Sequence, residues 1–157
     1  MAQSAEEALL EWADNATRLS MLAIMRFNQA HNLSVSLTNT LFYAARMKQL
    51  TINELAKHLG VSMPAASQLV DRIVEQGWLR REECPHDRRS RLISLTESGS
   101  ELVAEAKRER HAWIRELLSG FKEWEKQRIL PALTLMNQKI TIFGNEGEHS
   151  KSAEKEN

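Results

Sequence analysis

The sequence has little cysteine, little proline and no net charge. Its 157 residues include 1 cysteine and 3 prolines, and the 21 basic residues are balanced by 21 acidic ones. A single cysteine, Cys84, cannot form an internal disulfide bond, so the chain needs no oxidising compartment. Zero net charge argues against a polycation that coats nucleic acid uniformly, although it does not exclude a local basic patch.

Long hydrophobic runs are also missing. No apolar run approaches the roughly 18 residues that a membrane-spanning helix requires. The first residues, MAQSAEEALLEW, are acidic where a signal peptide is basic, and we therefore expect no export. Together with the cysteine usage, these absences predict a cytoplasmic protein that has no membrane partner and is long enough for one domain with a core.

The short motifs that carry enzymatic chemistry are absent from the sequence. It contains no Gly-rich phosphate loop, nucleophile elbow or metal-binding motif, so we expect no enzymatic activity and no cofactor. The 5 histidines are scattered without the spacing of paired ligands. Cys84 and His86 are only two candidate ligands, which are too few for a metal ion, and we expect no metal site.

Apolar residues recur at helical spacing at both ends of the chain. They predict a long helix over residues 5–30, a break at HNLSVSLT, and a shorter helix from about Asn39 to Lys48. Toward the C terminus they predict a helix over 97–119 and a last helix over 123–143, in which Pro131 causes a kink or marks a late start. The polar segment 144–157 is predicted to be disordered.

The segment between these ends carries two consecutive helix-start signals. Thr51 and Glu54 have the spacing of a capping box, and Gly60 is placed to end the first helix. Ser62 is a second N-cap candidate, and Pro64 falls in the first turn of the helix that follows. Two short helices joined by a tight, Gly-containing turn predict a helix-turn-helix.

The period of the pattern then changes from helix to strand. WLRREE and RLISLT are predicted as two short strands that flank PHDRRS, because Ile93 and Leu95 alternate with polar residues. A helix-turn-helix followed by a two-stranded ribbon is a winged helix, so the predicted fold class is mainly α, an α+β winged helix. The long terminal helices exceed what one small lobe can cover, which favours a two-fold dimer over a monomeric helical bundle.

Three segments, ELAKHLGVS, QLVDRIVEQGWLRR and DRRSRLISLTESG, occur here in the order found in one known family. The chain resembles the MarR (multiple-antibiotic-resistance regulator) family of winged-helix transcription factors over about residues 50–100. The residue before Pro85, commonly acidic in that family, is Cys84 here. The resemblance implies a single MarR-type domain over 1–157, with a winged helix-turn-helix lobe at 38–96. Helical dimerisation regions at 5–35 and 97–143 would flank that lobe.

A recognition helix requires small or hydrogen-bonding residues on its outer face, near its N terminus. Glutamine can pair with adenine, arginine can pair with guanine, and serine hydroxyls suit phosphates. The predicted contacts to double-stranded DNA on this helix are Ser62, Pro64, Ala65, Ser67, Gln68 and Arg72.

The wing adds a local basic cluster to this neutral chain. The resemblance implies that Arg89 enters an adjacent minor groove with Asp87 orienting it, and Arg88 and Arg91 are predicted to contact phosphates. The alternative is a solvated hairpin in which these arginines pair with neighbouring acids. Asp71 is predicted to neutralise Arg72 or a wing arginine, and the alternative is an exposed aspartate with no such role.

The resemblance implies a homodimeric repressor or activator, with repression the mode we expect, whose DNA affinity responds to a small aromatic or anionic effector. Aromatic residues that could line an effector cleft are Trp12, Phe27, Phe42, Tyr43 and Trp113, although residues of this kind more often form core. Two alternatives stay open. One is a winged-helix module for protein–protein contact, and the other is a redox-responsive regulator that uses Cys84.

Overall fold

The computed structural model describes the backbone of residues 3–84 and 87–153 and the side chains of residues 3–82 and 91–141. This part of the chain is mostly helical and contains a small antiparallel sheet, which confirms the predicted fold class of a mainly α winged helix. Its elements are α1 (Ala5–Ala30), α2 (Val35–Met47), β1 (Leu50–Thr51), α3 (Ile52–Leu59), α4 (Met63–Glu75), β2 (Leu79–Cys84), β3 (Asp87–Leu95), α5 (Glu97–Arg110), α6 (Ala112–Ser119) and α7 (Glu123–Ala153).

The helix-turn-helix forms where the sequence predicts it. The Thr51 hydroxyl accepts a hydrogen bond from the Glu54 amide, and the Glu54 carboxylate accepts one from the Thr51 amide at 2.7 Å, which completes the capping box. Gly60 ends α3 in the left-handed conformation, with φ of 65°, where a side chain would be strained. Ser62 then caps α4, whose second residue is Pro64. Both helix-start signals are therefore confirmed.

The predicted start of α2 near Asn39 is wrong. The helix begins at Val35, because the Ser34 hydroxyl accepts a hydrogen bond from the Leu37 amide at 3.2 Å. Serine and β-branched residues in the first turn gave the segment the composition of a loop, and the local cap determines the boundary instead.

The sheet contains one strand that the sequence analysis missed. Its order is β1-β3-β2, all antiparallel, and the short β1 pairs Leu50 with Ile93. Strand β3 begins at Asp87, so the DRRS part of the predicted loop is strand, and Pro85 and His86 lie outside the described residues. Pairing of β2 with β3 places Arg81 opposite Ile93 and is irregular between Glu83 and Cys84.

One hydrophobic core joins the winged helix to α1 and α5. The side chains of Leu55, Val70, Ile73 and Ile93 have no exposed surface. They belong to a cluster that also contains Phe27 of α1 and the α5 residues Leu102, Val103 and Ala106. The helix-turn-helix and its sheet are therefore held on α1 and α5 by continuous apolar packing, which fixes the position of α4.

The wing is tied to α5 at the point where the sheet ends. The Thr96 hydroxyl donates to the Gly77 carbonyl at 2.6 Å and also caps α5 by accepting from the Gly99 amide at 3.0 Å. A Cβ atom at Gly99 would stand 2.0 Å from the Trp78 carbonyl oxygen, so only glycine permits this approach of helix to strand. These contacts anchor the base of β2.

The chain divides into two compact units, residues 1–113 and residues 114–157. The single helix predicted over 97–119 is wrong, because His111 separates α5 from α6 without any glycine or proline to signal the break. In the second unit α7 begins at Glu123 and includes Pro131.

Helix α7 also continues past its predicted end at Phe143 to Ala153. Residues 144–153, predicted to be disordered, are therefore helical, and 154–157 lie outside the described residues. Among the helices described, none is long and apolar enough to cross a membrane.

Candidate nucleic-acid interface

Helix α4 has one buried face and one exposed face. Ala66, Val70 and Ile73 are completely buried against the core. Because these residues turn inward, the opposite face presents Pro64, Ala65, Gln68 and Arg72, all exposed, to solvent. Ser67 is half-buried at the edge of that face. The structure thus places these predicted contact residues together on one side of α4.

Ser62 is exposed and is also the N-cap residue of α4. Its hydroxyl accepts a hydrogen bond from the Ala65 amide at 3.4 Å, which caps the first turn of α4. The exposed start of α4 leaves its remaining N-terminal amides directed outward, an arrangement that favours anions. Ser62 is therefore at the end of α4 that a recognition helix uses.

Asp71 joins α4 to the first wing strand. Its Oδ1 lies 2.7 Å from Nη2 of Arg81 on β2, so its partner is Arg81 and not Arg72. The two atoms form an ion pair without a well-aligned hydrogen bond, because Nε and Nη2 of Arg81 are buried with no hydrogen-bond partner in the described structure. The Arg81 side chain is only 24% exposed, so this contact holds the β2 arginine beside the recognition helix.

A cationic cleft lies between α4 and the sheet. Arg81 on β2 and Arg91 on β3 share one face of the sheet, because Arg81 is opposite Ile93 and Arg91 is two residues away. The cleft has a volume of about 340 Å³, and its lining includes Thr51, Asn53, Met63, Ser67, Arg81 and Arg91. Arg91 is exposed, as a phosphate contact requires.

The opposite face of the wing sheet carries a balanced charge. Arg80, which is opposite Ser94, pairs with Glu82 through Nε and Oε1 at 2.7 Å. Glu82 is thus engaged with a residue of its own strand. The net positive charge of the described strand residues lies on the face toward α4.

The remaining wing residues are described only in part. Asp87, Arg88 and Arg89 belong to the backbone of β3, and Cys84 ends β2, but their side chains lie outside the described residues. The predicted minor-groove contact of Arg89, its orientation by Asp87, the phosphate contact of Arg88 and the redox role of Cys84 therefore stay predictions.

The aromatic residues considered for an effector cleft divide between core and surface. Phe27 is buried, Phe42 and Tyr43 pack against the core, and the indole N–H of Trp113 donates to Ser20 Oγ at 3.1 Å. Trp12 is exposed. The void beside Phe27 and Phe42 has a volume of about 10 Å³, which is room for a single water molecule at most. Phe27, Phe42 and Tyr43 therefore belong to the packing of the core.

Three residues of this surface are not among the contacts predicted from the sequence. Arg81 is one of them, because its ion pair with Asp71 depends on how β2 packs on α4. The other two are Val61 and Met63, which are 43% and 48% exposed. Their positions outside the apolar stripe of α4 were the available signal. In the described residues no group of three or more His, Cys, Asp or Glu side chains could hold a metal ion.

Known proteins resemble this chain in sequence and in fold. A model of the MarR family matches residues 31–90. An uncharacterised HTH-type transcriptional regulator of Mycobacterium bovis, Mb0904, is 30% identical over an alignment of 122 residues, and the match covers 73% of this chain and 85% of that protein.

Solved structures share the fold at lower identity. The regulator Tm0710 of Thermotoga maritima is 19% identical with a TM-score of 0.79, and the match covers 85% of this chain and 94% of that one. A mutant of MepR from S. aureus, bound to an oligodeoxyribonucleotide, is 23% identical with a TM-score of 0.66, covering 88% of this chain and 99% of that one.

The fold and the surface around α4 define a winged helix-turn-helix protein. The family model and the sequence relatives show that the chain belongs to the MarR family of transcriptional regulators. Regulators of this family are in general not enzymes.

Proposed function

We propose that this protein is a cytoplasmic homodimer that binds double-stranded DNA sequence-specifically and represses transcription. Helix α4 enters the major groove, and the arginines of the wing contact the phosphate backbone or an adjacent minor groove. The two copies of α4 in a dimer recognise a pseudo-palindromic operator whose half-sites are about one helical turn, ~34–36 Å, apart.

One observation carries this proposal. The outer face of α4 is uncharged up to Asp71 and exposes Gln68, while Arg81 and Arg91 stand beside it on the adjacent face of the sheet. Base edges are recognised by hydrogen-bonding and apolar groups, and phosphates are bound by arginines. The surface has these two kinds of group side by side, as binding of a duplex groove and its flanking backbone requires.

Solved structures of the same fold support the nature of the partner. The MepR mutant was solved with an oligodeoxyribonucleotide, and a mutant of MarR from E. coli was solved with operator DNA at 20% identity and a TM-score of 0.55. The shared fold makes DNA the partner that we propose here.

Helix α1 supports the dimer. It carries exposed apolar residues, among them Leu10, Met21 and Met25 at 59%, 60% and 52% exposure. Their spacings of eleven and four residues put them on one face of the helix. A second copy of the chain would cover this face, and a two-fold arrangement would give two recognition helices.

We also propose that a small effector binds to the protein and changes its affinity for DNA. A small anionic ligand in the cationic cleft would meet the exposed Arg91 beside the ion pair of Arg81 and Asp71. Because Arg81 is paired to Asp71 of α4, such a ligand would compete with Asp71 and alter the position of α4 relative to the sheet. Aromatic carboxylates are the class to titrate against a protein–operator complex.

Selection from a random pool of duplexes at near-physiological salt tests the proposal. We expect enrichment of an inverted repeat. Gln68→Ala should lose base preference at one position per half-site, at a cost of roughly 1–3 kcal/mol, while Gln76→Ala at the far end of α4 should keep the full preference. Absence of any enriched sequence would contradict sequence-specific binding and would favour the protein–protein module.

A further inference from the structure

The tip of α4 exposes a short run of apolar residues. Val61 and Met63 are nearly half exposed, and Pro64 and Ala65 are exposed as well. A single exposed methionine needs no explanation, but these four are interrupted only by Ser62. Because the Ser62 hydroxyl is engaged with the Ala65 amide, the surface here is nearly all apolar.

The same tip lacks charged side chains. From Met63 to Val70 the helix contains no acid and no base, and its first charged residue is Asp71. Arginine or lysine contacts to guanine cannot therefore come from the first two turns of α4. Apart from Gln68, this end of the helix offers the base edges mainly methyl, methylene and thioether groups.

Thymine alone among the unmodified bases presents a methyl group, at C5, at the edge of the major groove. Alanine and other apolar side chains contact this methyl in protein–DNA complexes. Methionine is unbranched and polarizable, so Met63 can adapt to such a small apolar target. Its position in the cleft lining, with Ser67 and Arg81, puts it on the side of α4 that faces the sheet.

We propose that Met63, with Val61 beside it, contacts a thymine methyl group and so selects thymine at a fixed position in each half-site. This inference rests on the proposed function and deepens it, because it names a base that α4 selects. The arginines beside the cleft would hold the backbone while Met63 packs against the base.

Replacing thymine by deoxyuridine removes the methyl group and leaves the base pair intact. Each thymine of the duplex enriched by the wild-type protein is replaced in turn, and binding is measured at constant salt. We expect about fourfold weaker binding at one or two positions per half-site, which corresponds to about 0.8 kcal/mol for one lost methyl contact.

Variants at Met63 test whether the weaker binding of deoxyuridine duplexes comes from this side chain. Met63→Ala should bind the thymine duplex more weakly and show no further loss on the deoxyuridine duplex, and Met63→Leu should keep the discrimination. Met47→Ala is the matched control, because Met47 of α2 is also exposed and lies outside α4. Thermal unfolding of each variant verifies that the fold is retained.

The outcomes that contradict the inference are distinguishable. An enriched duplex that binds equally well at every deoxyuridine position overturns the thymine contact and leaves the proposed function intact. The same holds if Met63→Ala retains the full deoxyuridine effect, because the effect would then come from DNA shape. If no duplex is enriched at all, the proposed function and this inference fail together.

Discussion

Helices α1 and α4 both leave apolar side chains exposed, but they do so in different patterns. On α1 the exposed residues recur over the length of the helix, with Leu10 near one end and Met25 near the other. On α4 they are confined to the tip and lie next to Arg81 and Arg91 across the cleft. A long apolar face suits another helix, whereas a small apolar tip flanked by cations suits a DNA groove and its phosphates. The two groups of exposed apolar side chains therefore indicate different partners.

The strongest way to separate the two surfaces is to place charge on α1. The double variant Met21→Glu/Met25→Glu should abolish the proposed dimer, because each methionine that the interface would cover contributes roughly 1.5–3 kcal/mol and a two-fold interface contains every residue twice. We expect the dimer dissociation constant to rise by more than about 100-fold, as measured by analytical ultracentrifugation.

Operator binding by this double variant should weaken in parallel, since each monomer carries one α4. Val35→Glu is the control, because Val35 of α2 is 65% exposed and lies on neither surface. If the double variant remains dimeric at the same concentrations, the α1 face has another occupant and the comparison with α4 does not hold.

The two faces of the wing sheet differ in whether their arginines are already paired with an acid. Arg91→Ala should weaken binding to all sequences and reduce the slope of log affinity against log salt by about 2, because the proposed dimer loses one phosphate contact in each protomer. Arg80→Ala should change the slope less, since Arg80 is already paired with Glu82 at 2.7 Å on the other face. Titrations of one duplex over a range of salt concentrations measure both, and equal slopes would mean that the α4-side face has no special role.

The smallest expected effect concerns pH and the capping box of α3. Hydrogen bonds from the Thr51 amide and then from its hydroxyl hold the pKa of Glu54 below its ordinary value of 4.5. A lowered pKa in the folded state means that the carboxylate stabilises the fold above pH 4.5 and that this contribution is lost as pH falls through the folded-state pKa.

Glu54→Gln should therefore be less stable than the wild type at pH 7, and the difference should shrink below pH 4.5. Because the carboxylate is largely exposed, solvent screening limits the effect to about 0.5 kcal/mol. Urea unfolding at several pH values measures it. A difference that stays constant with pH would show that the carboxylate charge is not what stabilises the cap.

Local signals in the sequence predicted the helix-turn-helix because its determinants are local. Thr51 with Glu54, Gly60, Ser62 and Pro64 each act within one turn of the helix that they begin or end, so their effect does not depend on distant residues. Local signals did not predict the break at His111 between α5 and α6, because the chain has no glycine or proline there. They also did not predict β1, a strand of two residues that exists only because Leu50 pairs with Ile93.

The candidate interface was predictable to the extent that it follows helical periodicity. Burial of Ala66, Val70 and Ile73 required Gln68 and Arg72 to face outward, and the structure agrees. Arg81 could not be assigned this way, since its role depends on β2 packing across α4 and placing it 2.7 Å from Asp71. The apolar tip was missed although Val61 and Met63 lie outside the apolar stripe of α4, because the extent of their exposure depends on how the rest of the chain packs.

The sequence alone determined the fold class, the start of both helices of the helix-turn-helix and the end of the first, and the identity of most residues on the outer face of α4. Short-range hydrogen bonds and periodicity determine each of these features. Tertiary structure alone decided that Arg81 stands beside that face and is the partner of Asp71, and how far the apolar side chains of the tip are exposed. Those features arise from contacts between residues far apart in the chain, and no local pattern encodes the distance between them.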